Sequence, residues 1–199
     1  METNTPNRRT GTLILIVLIP LILVAAVLVA SPSDYMLYTA IRGAALLGYL
    51  YIFLTCISSA FVVELSKFFG RPYMKTHHLV AVMGLTLITI HGATVAWDSL
   101  SAAVLLPRFE SPEGFLMWGG PPAYWLIWVA VLAAGLRMAL GARWRMLHWL
   151  NYIAFLLATA HALMIGGDFE RPLLRWGATG MALVVIAVFL RKRLADVRR

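Results

Sequence analysis

The 199-residue chain is 61% hydrophobic and only 13% charged, whereas a water-soluble domain carries about a quarter of its residues charged. Several apolar runs reach the roughly 20 residues that cross a hydrocarbon core of about 30 Å, so the class is an integral membrane protein. The formal charge of +8, which in a soluble chain would suggest nucleic acid, is read here as topology, and no nucleic-acid partner is expected.

Apolar runs between charged or Pro/Gly punctuation predict six spans, approximately Thr12–Ala30, Tyr35–Glu64, His77–Trp97, Ala123–Leu140, Arg145–Ile165 and Pro172–Leu190. The first follows Arg8 and Arg9 as a signal peptide would. It is long for a signal, however, and Pro32 sits just past the small-residue site, which favours a retained helix. The second is long enough to tilt or to project beyond the bilayer. Pro172 stands where a helix tolerates proline, in the first turn. The longest connection, from about Asp98 to Pro122, has an apolar middle, Gly114–Trp118, suited to lying along the interface or covering whatever opens there.

On alternate sides of these spans the basic residues divide unequally. Arg8, Arg9, Lys67, Arg71, Lys75, Arg137, Arg143, Arg145, Arg191, Lys192, Arg193, Arg198 and Arg199 share one side, and Arg42, Arg108, Arg171 and Arg175 the other. This places both termini in the cytoplasm. The expected fold is therefore an all-α bundle of six transmembrane helices forming a single domain over residues 1–199, in the inner membrane and in contact with lipid. The single cysteine, Cys56, excludes internal disulfides, iron–sulfur clusters and thiolate zinc sites. No Gly-rich dinucleotide fingerprint or P-loop occurs, so no flavin or nicotinamide site is expected on this chain.

The five histidines, His77, His78, His91, His148 and His161, fall on the third and fifth spans alone. Both spans run from inside to outside. His77 and His91 are 14 residues apart, and His148 and His161 are 13 apart, or roughly 21 and 20 Å along a helix. Two parallel helices thus offer two levels of imidazoles, His77 with His148 and His91 with His161. Neutral imidazole is a good axial ligand for haem iron, and two imidazoles fill both axial positions. Polar side chains in hydrocarbon are costly and usually functional. The competing reading is helix–helix hydrogen bonding, which suits His78 at the interface.

Helical phase agrees on the third span, where 14 residues leave the ligands about 40° apart. On the fifth, 13 residues leave them about 140° apart, so that helix must be distorted or His148 must sit in an irregular first turn. The same arithmetic prefers His77 over His78. Gly84, midway between His77 and His91, would let a porphyrin edge approach the backbone, or serves helix packing.

The string Thr76-His77-His78-Leu79-Val80-Ala81-Val82-Met83 with Ile90-His91-Gly92 resembles the third helix of the ferric reductase-like transmembrane domain. Trp144-Arg145-Met146-Leu147-His148-Trp149-Leu150-Asn151-Tyr152 with Ala160-His161 is similar to its fifth. NADPH oxidases, ferric reductases and the bacterial haem subunit MsrQ (YedZ) share this domain, and the likeness extends over essentially the whole chain, including the 14 and 13 spacings. It implies two haems b, the inner on His77 and His148 and the outer on His91 and His161. It also implies an arginine near a haem propionate, for which Arg42 is the candidate; a snorkelling interfacial arginine is the plainer reading.

The resemblance further implies an oxidoreductase component that takes electrons from a separate cytoplasmic flavoprotein reductase or a quinol. It would pass them to an acceptor on the outer side. The family's larger members append a flavin and nicotinamide domain, whereas this chain stops after Arg199, so the reductase is expected elsewhere. MsrQ-type members carry a basic residue at the place of His77. Delivery to a periplasmic methionine sulfoxide reductase stays open as the alternative. A non-haem metal-ion transporter is a second, disfavoured by the lack of mid-membrane carboxylates on the histidine spans.

Overall fold

A computed structural model describes residues 5–69 and 73–197. Arg71, Arg198 and Arg199, counted above for topology, lie outside the described residues. All regular structure among the described residues is helical. Four helices are long and apolar enough to cross a membrane: Met36–Phe61, Tyr73–Asp98, Arg137–Ile165 and Pro172–Leu194. Two shorter apolar helices, Ile14–Ala30 and Gly120–Gly135, accompany them. Large apolar side chains such as Leu79, Val82, Leu183 and Val29 point outward and are exposed. In water that would be an aggregation hazard, but in lipid it is the expected surface. The protein is a multi-pass membrane protein.

The chain forms two compact units, Met1–His91 and Gly92–Arg199. In the first, α1 (Thr5–Ala30) packs antiparallel on α2 (Met36–Ser58). Pro20 inside α1 removes one helical N–H. Close to that gap the buried Tyr51 hydroxyl of α2 donates to the Val17 carbonyl at 3.0 Å. At the other end Arg42 donates from Nη1 to the Ser31 carbonyl at 2.7 Å. A cation thus meets the negative, carbonyl-bearing end of α1.

The long second span expected from the sequence is broken after Ser58 by a 3-10 turn, Ser59–Phe61, and continues as α3 (Val62–Phe69). The hydroxyls of Ser58 and Ser59 bond back to the carbonyls of Thr55 and Cys56 at 3.0 and 2.6 Å. Such bonds compete with the helical ladder. The helix α4 (Tyr73–Asp98) starts four residues earlier than expected, and its Tyr73 hydroxyl donates to the Ser58 carbonyl at 2.8 Å. It lies antiparallel to α2, and two glycines set the approach. A Cβ on Gly48 would meet Ile88 N at 3.1 Å, and one on Gly84 would meet Ile52 N at 3.3 Å.

In the second unit, the long connection contains a 3-10 turn, Ala102–Leu105, and the short α5 (Pro112–Met117). Ser111 caps α5 by accepting from Gly114 N at 2.9 Å, with Pro112 in the first turn. The fourth span begins at Gly120, not Ala123, and α6 (Gly120–Gly135) is followed by a separate turn, α7 (Arg137–Leu140). Pro121 and Pro122 are accommodated in the first turn of α6, where proline lacks only an N–H that has no helical partner.

The fifth span is divided into α8 (Trp144–His148) and α9 (Leu150–Ile165). The chain then runs through a 3-10 turn, Gly167–Glu170, into α10 (Pro172–Val197). The antiparallel α6 and α9 form the centre of this unit, with α8, α5 and α10 against them. Ala130, Ala154 and Phe155 are buried there.

Candidate functional site

His77 and His91 both lie on the unbroken α4, at the expected 14-residue spacing. His78, beside His77 with ring centroids 6.0 Å apart, is exposed. In the second unit the helix carrying His148 and His161 is distorted immediately after His148. The Trp149 N–H is shared between the carbonyls of Arg145 and Met146 at 3.2 Å each, and Tyr152 N–H donates to the Trp149 carbonyl, three residues back, at 3.0 Å. Such bonds wind the chain at about 120° per residue instead of about 100°. Three residues wound in this way close the 140° offset between the histidines to about 80°. Arg193 of α10 lays its guanidinium over the Trp149 ring at 4.4 Å, a cation–π contact that ties α10 to this break.

The four half-buried histidines share one feature. His91 Nδ1 lies 3.2 Å from the Ile41 carbonyl, His148 Nδ1 3.1 Å from the Ala130 carbonyl, and His161 Nδ1 2.8 Å from the Met117 carbonyl. A carbonyl oxygen only accepts, so Nδ1 carries the proton at these three and Nε2 carries the ring lone pair. The Asn151 amide nitrogen, itself a donor, also lies 3.4 Å from His148 Nδ1, and the shorter contact to the Ala130 carbonyl is the one that assigns the Nδ1 proton.

His77 Nδ1 lies 3.3 Å from Ser58 Oγ. That hydroxyl donates its single proton to the Thr55 carbonyl, so it accepts from His77 Nδ1–H. Orientation of a ligand imidazole through its other nitrogen is the usual support for metal coordination at Nε2.

Around His161 the fit is close. A Cβ on Gly120 would lie 2.9 Å from His161 Nε2 and 3.1 Å from both Cδ2 and Cε1, and one on Gly119 would lie 2.8 Å from the Leu157 carbonyl oxygen. On the same helix α6 the Trp128 indole N–H is buried with no acceptor among the described residues.

Gly84 and Arg42 have contacts of their own. Gly84 is buried against Ile52, so the close approach it permits is that of α2 to α4. Arg42 is held at the end of α1 and over the Tyr38 ring, 5.7 Å from its centroid. Reasoning from sequence missed Ser58, Gly119, Gly120 and the three carbonyls. Ser58 in an apolar run and the Gly119-Gly120-Pro121-Pro122 string were the available signals; the carbonyls leave none. Among the described residues no three His, Cys, Asp or Glu side chains gather as a metal-ion site. Compared with family models, with curated proteins and with solved structures, the chain matches none.

Proposed function

We propose that the chain is a b-type membrane cytochrome that carries electrons from a cytoplasmic donor, a flavoprotein reductase or quinol, to an acceptor on the outer side. His77 and His148 would hold the inner haem, and His91 and His161 the outer one. When bound, the haems supply reversible one-electron chemistry at iron. The observation that carries the reading is the shared hydrogen-bonding pattern of the four imidazoles, each with Nδ1 engaged, which puts the ring lone pair on Nε2, the atom that would ligate a metal.

Three further features fit a haem. A haem asks two protein ligands of each iron, whereas an ordinary ion site needs three or more donors in one place. The missing side chain of Gly120 lets α6 pack on the face of the His161 ring and keeps a Cβ out of the in-plane direction of Nε2. The buried Trp128 N–H suits a bound group with acceptor atoms, since an unsatisfied donor costs about 1–3 kcal/mol. We read the shorter apolar helices α1 and α6 as spans too, which with the four longer helices would make six. The thirteen-to-four division of Lys and Arg supports both termini lying in the cytoplasm of an inner-membrane protein.

The test is haem content per chain with a reduced-minus-oxidised spectrum of the purified protein. Two haems and a b-type absorbance are expected. A colourless protein, or one whose spectrum survives His91→Ala and His161→Ala unchanged, overturns the reading.

A further inference from the structure

The Cβ position of Gly120 is nearly equidistant from Nε2, Cδ2 and Cε1 of His161, at 2.9, 3.1 and 3.1 Å. A point beyond Nε2 in the ring plane would be much nearer the nitrogen than the two carbons. The Gly120 backbone therefore backs onto the flat face of the imidazole and leaves the in-plane direction of the Nε2 lone pair clear of its Cβ. Three residues earlier, the Met117 carbonyl holds Nδ1 at 2.8 Å, in the direction of the ring N–H. Gly119 between them presses on α9 itself, its Cβ position 2.8 Å from the Leu157 carbonyl oxygen. Leu157 and His161 are one turn apart and share a face of α9.

The ring thus has two independent constraints, a hydrogen bond at its edge and a backbone against its face. Rotation about the Cβ–Cγ bond of His161 would break the first or collide with the second. Neither glycine has room for a side chain, which accounts for two of them in succession at the start of α6. We propose that the segment Met117–Gly120 is a positioning element that fixes the plane of the His161 imidazole, with Gly120 the residue on which that plane depends. The inference rests on the haem reading and deepens it. In a low-spin haem with two imidazole ligands, the orientation of the ligand planes sets the anisotropy of the iron's magnetic resonance signal. The plane of His161 therefore has a spectroscopic signature of its own.

The experiment compares electron paramagnetic resonance spectra of the oxidised, purified full-length protein with those of Gly120→Ala and Gly135→Ala. Gly135 lies on the same helix with nothing within 4 Å of a Cβ. The wild type should show two low-spin signals. Gly120→Ala should move one of them, or convert that haem to high spin, and leave the other in place. Gly135→Ala should move neither. Full haem content with both signals unmoved in Gly120→Ala overturns the proposal and leaves the cytochrome reading standing, whereas a wild type without haem removes both.

If Gly120→Ala does not accumulate, the double variant Gly120→Ala/His161→Ala decides. Recovery of the inner haem to the level of His161→Ala alone shows that the conflict is with the ring. Failure to recover assigns Gly120 to helix packing and overturns the proposal.

Discussion

Met117 and His161 are 44 residues apart in the chain, yet the carbonyl oxygen of the first lies 2.8 Å from Nδ1 of the second. The connection between α4 and α6 therefore helps to hold a candidate ligand, through the end of α5. Replacing His161 or His91 by alanine should lower haem from about two to about one per chain. Double replacement should give the same loss as either single one, because each alone leaves one iron with a single axial ligand. Pyridine haemochrome assay on purified protein measures this.

Ser58→Ala removes the hydroxyl that accepts from His77 Nδ1–H. Loss of such a supporting partner weakens retention of a metal centre by about 10–100-fold. Without the acceptor the imidazole is a poorer donor to ferric iron, so the inner haem should also shift to a more positive potential. Haem retention on dilution and a redox titration check the two effects, and the outer haem serves as internal reference.

The crossing of α2 and α4 should resist enlargement unequally. At Gly48 a Cβ meets Ile88 Cγ2 at 2.7 Å and Ile88 N at 3.1 Å, whereas at Gly84 it meets the mobile Cδ1 tip of Ile52 at 2.9 Å and Ile52 N at 3.3 Å, so the backbone contact is the tighter at Gly48. Backbone yields less readily than a side-chain tip, and overpacking costs typically about 1–3 kcal/mol. Gly48→Ala should fall toward the upper end and Gly84→Ala toward the lower. Thermal unfolding in detergent gives the order.

Gly141 joins α7 to the turn before α8 at φ 54° and ψ −135°, a region that side-chain-bearing residues avoid. Gly141→Ala should cost about 1–3 kcal/mol. Gly135→Ala, helical and with open space around it, should be neutral or stabilising by up to about 1 kcal/mol. The pair measured in one detergent separates backbone strain from the effect of an added methyl group.

The helical, membrane-spanning class was legible because it depends on run length and composition, which are local. The histidine helices could be located for the same reason: imidazoles stand out in apolar sequence. What escaped was set by side-chain hydrogen bonds to the backbone and by contacts between distant segments. The break after Ser58 arises from hydroxyls that compete with the backbone, and nothing in the hydropathy of Tyr35–Glu64 marks it. The phase of His148 and His161 pointed to a distortion, and overwinding at Trp149 supplies one. Gly84 could be read either as clearance for a porphyrin or as helix packing, and only its neighbour Ile52 shows which approach it permits here. The role of Gly119 and Gly120 is visible only once Leu157 and His161 are seen against them.

The main-chain seats of His91, His148 and His161 have a consequence for variation. A peptide oxygen is the same acceptor whatever residue bears it. Ile41, Ala130 and Met117 can therefore be exchanged for other residues of compatible size without altering what those imidazoles meet, so long as the helices keep their course. His77 differs, since its Nδ1 rests on a serine side chain. Three positions are buffered against sequence drift, and the fourth can be adjusted by a single point mutation.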